Sequence, residues 1–153
     1  MNSKLNKRRL VVIMGLAAAV GVLASCQQMG GSMGSMMGGG QQVALSGSNE
    51  VPPVTTGATG TGTVTVKSDR SVSANITVTG MTATAAHIHQ GAPGANGPVI
   101  VPFTKTGDNT FAPAAGATMT ESQYAAYKAG NTYVNVHSAK NPGGEIRAQL
   151  KGN

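Results

Sequence analysis

The chain carries three histidines among 153 residues, and each falls in an alternating segment. His87 and His89 lie in Ala86-His87-Ile88-His89, and His137 ends Tyr133-Val134-Asn135-Val136-His137. Imidazole titrates near neutrality and is the commonest metal ligand among side chains. On a strand, residues i and i+2 leave the same face roughly 6 to 7 Å apart at their roots, so His87 and His89 can converge on one ion through bonds of about 2 Å. Ile88 points the other way. Val134 and Val136 take the core face of the second segment, which sends His137 outward with Tyr133 and Asn135. In residues 145–150, Ile146, Ala148 and Leu150 face inward, so Glu145, Arg147 and Gln149 face outward. The three histidines and Arg147 are therefore expected on outer faces. Two Gly/Pro-rich loops, residues 90–98 and 138–144, are placed to fold back over them. The reading is a shared metal site; the plain alternative is three solvent-exposed histidines.

Three neutral imidazoles suit copper or zinc, whereas calcium and magnesium prefer oxygen. Zinc is the commoner occupant of a three-histidine site, and with an open position such a site can be hydrolytic. Copper is favoured here by an expected extracytoplasmic location. Met29, Met33, Met36 and Met37 add a weaker pointer, since thioethers are soft Cu(I) ligands.

The elements that must position these groups are short strands. The clearest runs over residues 72–78, where Val72, Ala74, Ile76 and Val78 alternate with Ser73, Asn75 and Thr77. Residues 61–66 alternate in the same way, and Ser68-Asp69-Arg70-Ser71 is the hairpin connection between the two. Further strands are expected at 43–46, 85–89, 99–103, 133–137 and 145–150. About seven short strands in about 110 residues imply an all-β Greek-key sandwich or barrel. One short helix interrupts it. Thr120 opens a capping box with Gln123, and Gly130 is the natural stop. Tyr124 and Tyr127 then share a helix face and seal it against the barrel.

The amino-terminal part is of another kind. Lys4, Lys7, Arg8 and Arg9 precede an apolar run, residues 10–23, that is too short to span a bilayer but right for a signal peptide. It ends in Leu23-Ala24-Ser25-Cys26, which resembles the bacterial lipobox, whose cysteine is acylated and becomes the first mature residue. The organisation expected is a signal peptide at 1–25, a Met/Gly/Ser-rich tether at 26–42 and one domain at 43–153. Cys26 is then the lipid attachment site, and the domain sits outside the cytoplasm on a bacterial membrane, in the periplasm or at the cell surface. With the only cysteine committed to lipid, no thiol remains for a disulfide or a thiolate metal site. The leader holds four of the eleven basic residues and none of the five acidic ones, so the remainder carries seven against five, a net of +2. The pI near 9.8 is thus mostly leader. No Arg/Lys stripe interleaved with aromatics is present, and no nucleic-acid partner is expected.

Three stretches together carry a family resemblance: Ala44-Leu45-Ser46-Gly47-Ser48-Asn49-Glu50-Val51-Pro52-Pro53; Ala86-His87-Ile88-His89-Gln90-Gly91 with Gly97-Pro98-Val99; and Tyr133-Val134-Asn135-Val136-His137-Ser138 with Pro142-Gly143-Gly144-Glu145-Ile146-Arg147. Over nearly all of residues 43–151 the chain resembles the CHRD domain first named from chordin. That family is thought to be similar in fold to the copper-zinc superoxide dismutase barrel. The resemblance implies one copper ion on His87, His89 and His137, and superoxide as a substrate. Arg147 would then attract the anion as a fixed cation in a cleft. Glu145 would cap the 138–144 loop or orient a histidine through a hydrogen bond. Three histidines cannot furnish a copper-zinc pair, and the dismutase disulfide has no counterpart. A non-catalytic extracellular interaction or copper-buffering module is the competing expectation.

Overall fold

Strands form where apolar and polar residues alternate, and eight of them close on themselves. The computed structural model describes residues 40–152. The leader, Cys26 and the tether as far as residue 39 lie outside them. The strands are β1 (Gln41–Ser46), β2 (Thr59–Val66), β3 (Val72–Thr79), β4 (Ala83–Gln90), β5 (Val99–Gly107), β6 (Thr110–Pro113), β7 (Thr132–Ser138) and β8 (Ile146–Leu150), with α1 (Glu121–Lys128) between β6 and β7. They run β1-β2-β3-β6-β5-β4-β7-β8 around a closed barrel, β8 returning to β1 through the Ser46–Arg147 pair. All neighbours are antiparallel. The β4-β5-β6 meander lies with β6, not β4, beside β3, which is the Greek-key connection expected. The closure is narrow at two seams, one residue pair joining β1 to β8 and two joining β3 to β6.

The inward-facing residues fill the barrel. Leu45, Val64, Ile76, Val78, Ile88, Val101, Phe111, Val134, Val136, Ile146 and Leu150 are all buried in one cluster, each stabilising the fold by about 1.5 to 3 kcal/mol relative to exposure. With so few aromatics, branched aliphatics make up most of this core. Its lower end is stopped by α1. Gln123 N–H donates to Thr120 Oγ1 at 3.2 Å, and Thr120 N–H donates to Gln123 Oε1 at 2.8 Å, the reciprocal pair of a capping box. Gly130 ends the helix at φ 74°. Tyr127 is buried in the core and Tyr124 packs at its margin.

Several strands differ from the sequence expectation in extent, β5 most of all, which runs on to Gly107 rather than ending at 103. β1 begins at Gln41, two residues before the expected start, because Gln41 and Gln42 pair with Val64 and Thr63 of β2. β6 was not anticipated: it is four residues long, ends in proline and has one large apolar side chain, Phe111, so it shows no alternation. It is a strand because β3 and β5 flank it and supply its hydrogen bonds.

Candidate metal centre

The outer faces of β4, β7 and β8 lie side by side, and register decides which of their residues meet. His87 pairs with Asn135, His89 with Tyr133 and Ala85 with His137; on the far side of β7, Asn135 pairs with Arg147 and Tyr133 with Gln149. The small Ala85 leaves room above β4 for the His137 ring. Ring centroids are 4.8 Å apart for His87 and His137, 5.5 Å for His87 and His89, and 6.1 Å for His89 and His137. One nitrogen from each ring lies within 4.8 Å of the others. The strand parity expected from the sequence therefore brings the three imidazoles together.

Each of two rings is fixed by the loop that follows it. His89 Nδ1 lies 2.9 Å from the Gly97 carbonyl, and His137 Nδ1 lies 2.9 Å from the Pro142 carbonyl. A carbonyl only accepts, so both Nδ1 atoms carry the proton and both Nε2 atoms present a lone pair. His89 Nε2 is buried with no hydrogen-bond partner, a costly state that a metal would relieve. His87 Nδ1 is 3.0 Å from His137 Nε2. Nitrogens bound to one ion at about 2 Å stand roughly 3 to 3.5 Å apart, so this pair already has the spacing a shared ion requires. Burial, then the charges that His137 and His89 would carry, lower the His87 pKa to about 4. Burial also lowers His137, against the raising effect of its Pro142 bond. At neutral pH both are unprotonated, the form that binds metal. The donor set and the unpartnered Nε2 thus fit a copper or zinc ion.

Arg147 is 2% exposed on the outer face of β8. Its guanidinium donates to the Ala95 carbonyl at 2.9 Å, Asn96 Oδ1 at 3.2 Å, Gln149 Oε1 at 3.2 Å and, at the limit, the Ala92 carbonyl at 3.5 Å. It is held in the 91–98 loop rather than open to solvent. Its carbon ζ lies 3.3 Å from the centre of the Tyr133 ring. That ring stacks on His89 with centroids 4.9 Å apart and planes 6° from parallel. Asn96 also donates to the Val51 carbonyl at 2.7 Å, tying the loop to residues 47–58. A side chain on Gly97 would run into the Gln90 carbonyl, so the turn that offers the Gly97 oxygen to His89 requires glycine.

Glu145 is buried under the second loop and touches no histidine. Thr56 donates to its Oε1 at 2.6 Å and Ser138 donates to its Oε2. Burial raises its pKa, but the hydrogen bonds from Ser138 and Thr56 act the other way and the net is a lowering. Ser138 Oγ also accepts from Asn141 N–H at 3.1 Å, so Glu145 braces the turn whose Pro142 carbonyl holds His137. Its effect on the histidine runs through backbone.

Glu50 was not singled out as a site residue. It is 5% exposed, and one oxygen has no partner. Burial raises its pKa against the lowering effects of the Arg147 charge and the Asn135 amide. A Cβ on Gly144, whose φ is 132°, would come within 2.6 Å of Glu50 Oε1 and 2.7 Å of Asn135 Nδ2. Glu50 lies just past a 3-10 turn, Gly47–Asn49, where no strand parity gives it a face; an acid in a chain with five of them, before two prolines, was the available signal. Cys26 lies outside the described residues.

The model of one family, the CHRD domain, matches residues 41–150. No curated protein and no solved structure matches the chain.

Proposed function

The chain belongs to the CHRD domain family, and from that premise we propose that it is a membrane-anchored extracytoplasmic protein whose barrel binds one copper ion and dismutes superoxide. The carrying observation is the convergence of one nitrogen from each of His87, His89 and His137, with the His89 and His137 tautomers set by loop carbonyls and His89 Nε2 buried without a partner. Copper, when bound, supplies the Cu(II)/Cu(I) couple that one-electron chemistry on superoxide requires. Copper is preferred to zinc for the expected extracytoplasmic location and the Met-rich tether.

The protein's own contribution is to hold three imidazoles, to bury the His89 side and to leave His87 partly exposed as the side from which an anion arrives. Arg147 supplies positive potential from beneath the loop. Lipid on Cys26 would confine this activity to a membrane surface, and a Cys26→Ser variant is expected to carry no lipid, as mass spectrometry would read.

One observation favours a second reading, a non-catalytic copper buffer. The Arg147 donors are taken up by loop acceptors, which leaves the centre without a cation that contacts an incoming anion. Metal analysis of the purified full chain, followed by a superoxide assay with and without copper, separates these readings. Copper-loaded protein no faster than buffer leaves the buffering module. A folded chain that takes up no copper ends both.

A further inference from the structure

We infer that Tyr133 is the positioning residue of this centre: a ring clamped between Arg147 and His89 that fixes the direction of His89 Nε2. The inference rests on the metal-binding reading and adds the group that gives His89 its orientation. β7 lies between β4 and β8, so Tyr133 has His89 beside it on one strand and the β8 side chains on the other. The imidazole stacks on one face at 4.9 Å and 6°, and the guanidinium carbon stands 3.3 Å over the ring. The phenol oxygen accepts from Gly97 N–H at 3.2 Å, and the carbonyl of that same residue accepts from His89 Nδ1 at 2.9 Å.

His89, Gly97 and Tyr133 thus form a closed circuit. His89 cannot rotate about its ring axis without breaking the Gly97 bond, and cannot tilt without displacing a ring that Arg147 holds from behind. Arg147 closes the arrangement from outside, donating to Ala95 and Asn96 of the loop that carries Gly97. Its fork, and not its charge alone, is what the geometry uses, so lysine is no substitute. His87 has no equivalent clamp: it is partly exposed and its Nδ1 is hydrogen-bonded only with His137.

The test uses the full chain in detergent with copper as the probe. Copper affinity and the Cu(II) electron paramagnetic resonance spectrum are measured, and, on the metal-free chain, the exchange rate of the His89 Nδ1 proton by NMR. Tyr133→Leu is expected to lose about 10- to 100-fold in copper affinity, the range for groups that orient a metal ligand. It should also broaden the spectrum and speed proton exchange in the metal-free chain. Tyr133→Phe keeps the plate but loses the Gly97 bond, and should fall between wild type and Tyr133→Leu in affinity and in proton exchange. Arg147→Lys keeps the charge but not the fork and should move in the direction of Tyr133→Leu.

A folded Tyr133→Leu with wild-type affinity, spectrum and proton exchange overturns the inference. If that variant does not fold, Arg147→Lys decides: unchanged proton exchange and affinity there overturn it equally. If wild type binds no copper, the metal reading fails, while slow His89 proton exchange that Tyr133→Leu abolishes still supports the clamp and unchanged exchange removes it.

Discussion

The β2–β3 hairpin and the β4–β7–β8 sheet share one pattern and put it to opposite uses. Both send Val and Ile into the same core. On β3 the outward Ser73, Asn75, Thr77 and Thr79 are exposed, and their contacts are those of a wet surface, such as the 3.0 Å hydroxyl pair of Thr79 with Thr59. On β7 every residue is buried, the outward Tyr133, Asn135 and His137 included. The difference is the cover supplied by residues 47–58, 91–98 and 138–145. Covering polar groups obliges each to find a partner or remain costly. Most do, through loop carbonyls and hydroxyls. His89 Nε2, Glu50 Oε1, Asn135 Oδ1 and Asn141 Nδ2 do not, the first of them at the three-histidine group. A second, polar interior has been built on the outside of the barrel.

The largest expected effect breaks the comparison at the histidines. His89→Ala removes the one ligand nitrogen that is buried and unpartnered. It should weaken copper binding by more than about 100-fold, beyond what loss of an orienting group does, and any superoxide activity should go with it. Isothermal titration with copper and a dismutation assay read both. Retained tight binding would show that the covered face is not a metal site.

Glu145→Ala comes next, because it strips the brace from one cover. It leaves the Ser138 and Thr56 hydroxyl protons without their acceptor, and a buried donor left unsatisfied costs about 1 to 3 kcal/mol. Denaturant unfolding measures the loss. The carboxyl also titrates below its ordinary value. Its stabilising share is therefore present above the unfolded pKa near 4.5 and is lost as pH falls through the lower folded value.

Strand parity made much of this legible in the sequence. A period of two fixes faces, so the inward sets of β3, β7 and β8 and the outward His87, His89, His137 and Arg147 could be assigned from spacing alone. Parity says nothing of what lies above a face. That Arg147 spends its donors on Ala95 and Asn96, that Tyr133 is a plate between Arg147 and His89, and that Glu50 is buried next to Asn135 all depend on the path of irregular loops. β6 was missed for a related reason: four residues with one Phe make a strand only because two neighbours pair with them.

Acid should unsettle the covered face before the wet one. The His87 pKa is lowered from 6.5 to about 4 and that of His137 is lowered too, so between those limits the unfolded chain binds more protons than the folded one. Stability from these groups is thus complete above pH about 6.5 and falls as pH drops toward 4. Glu50 opposes this, since its raised pKa lets the folded chain take a proton first. Thermal melts of the metal-free chain from pH 7 to 4 should show a falling Tm, and Glu50→Gln should make the fall steeper. A flat profile in both would mean that the histidines titrate freely and the cover does not bury them.

The smallest effect is the sharpest control. Asn75 and Asn135 occupy outward positions on β3 and β7, and only the second is covered. Asn135→Ala removes an amide from among Glu50, Arg147 and His87 and should cost about 1 to 3 kcal/mol. Asn75→Thr faces water and replaces a poor strand former with a β-branched one. It should change stability by no more than about 0.5 kcal/mol, toward stabilisation, because surface changes away from caps and networks rarely do more. Copper affinity should be unchanged, since Asn75 pairs with Thr63 on a hairpin that carries no histidine. Equal costs at the two asparagines, read from denaturant unfolding under one condition, would erase the distinction between a wet face and a covered one.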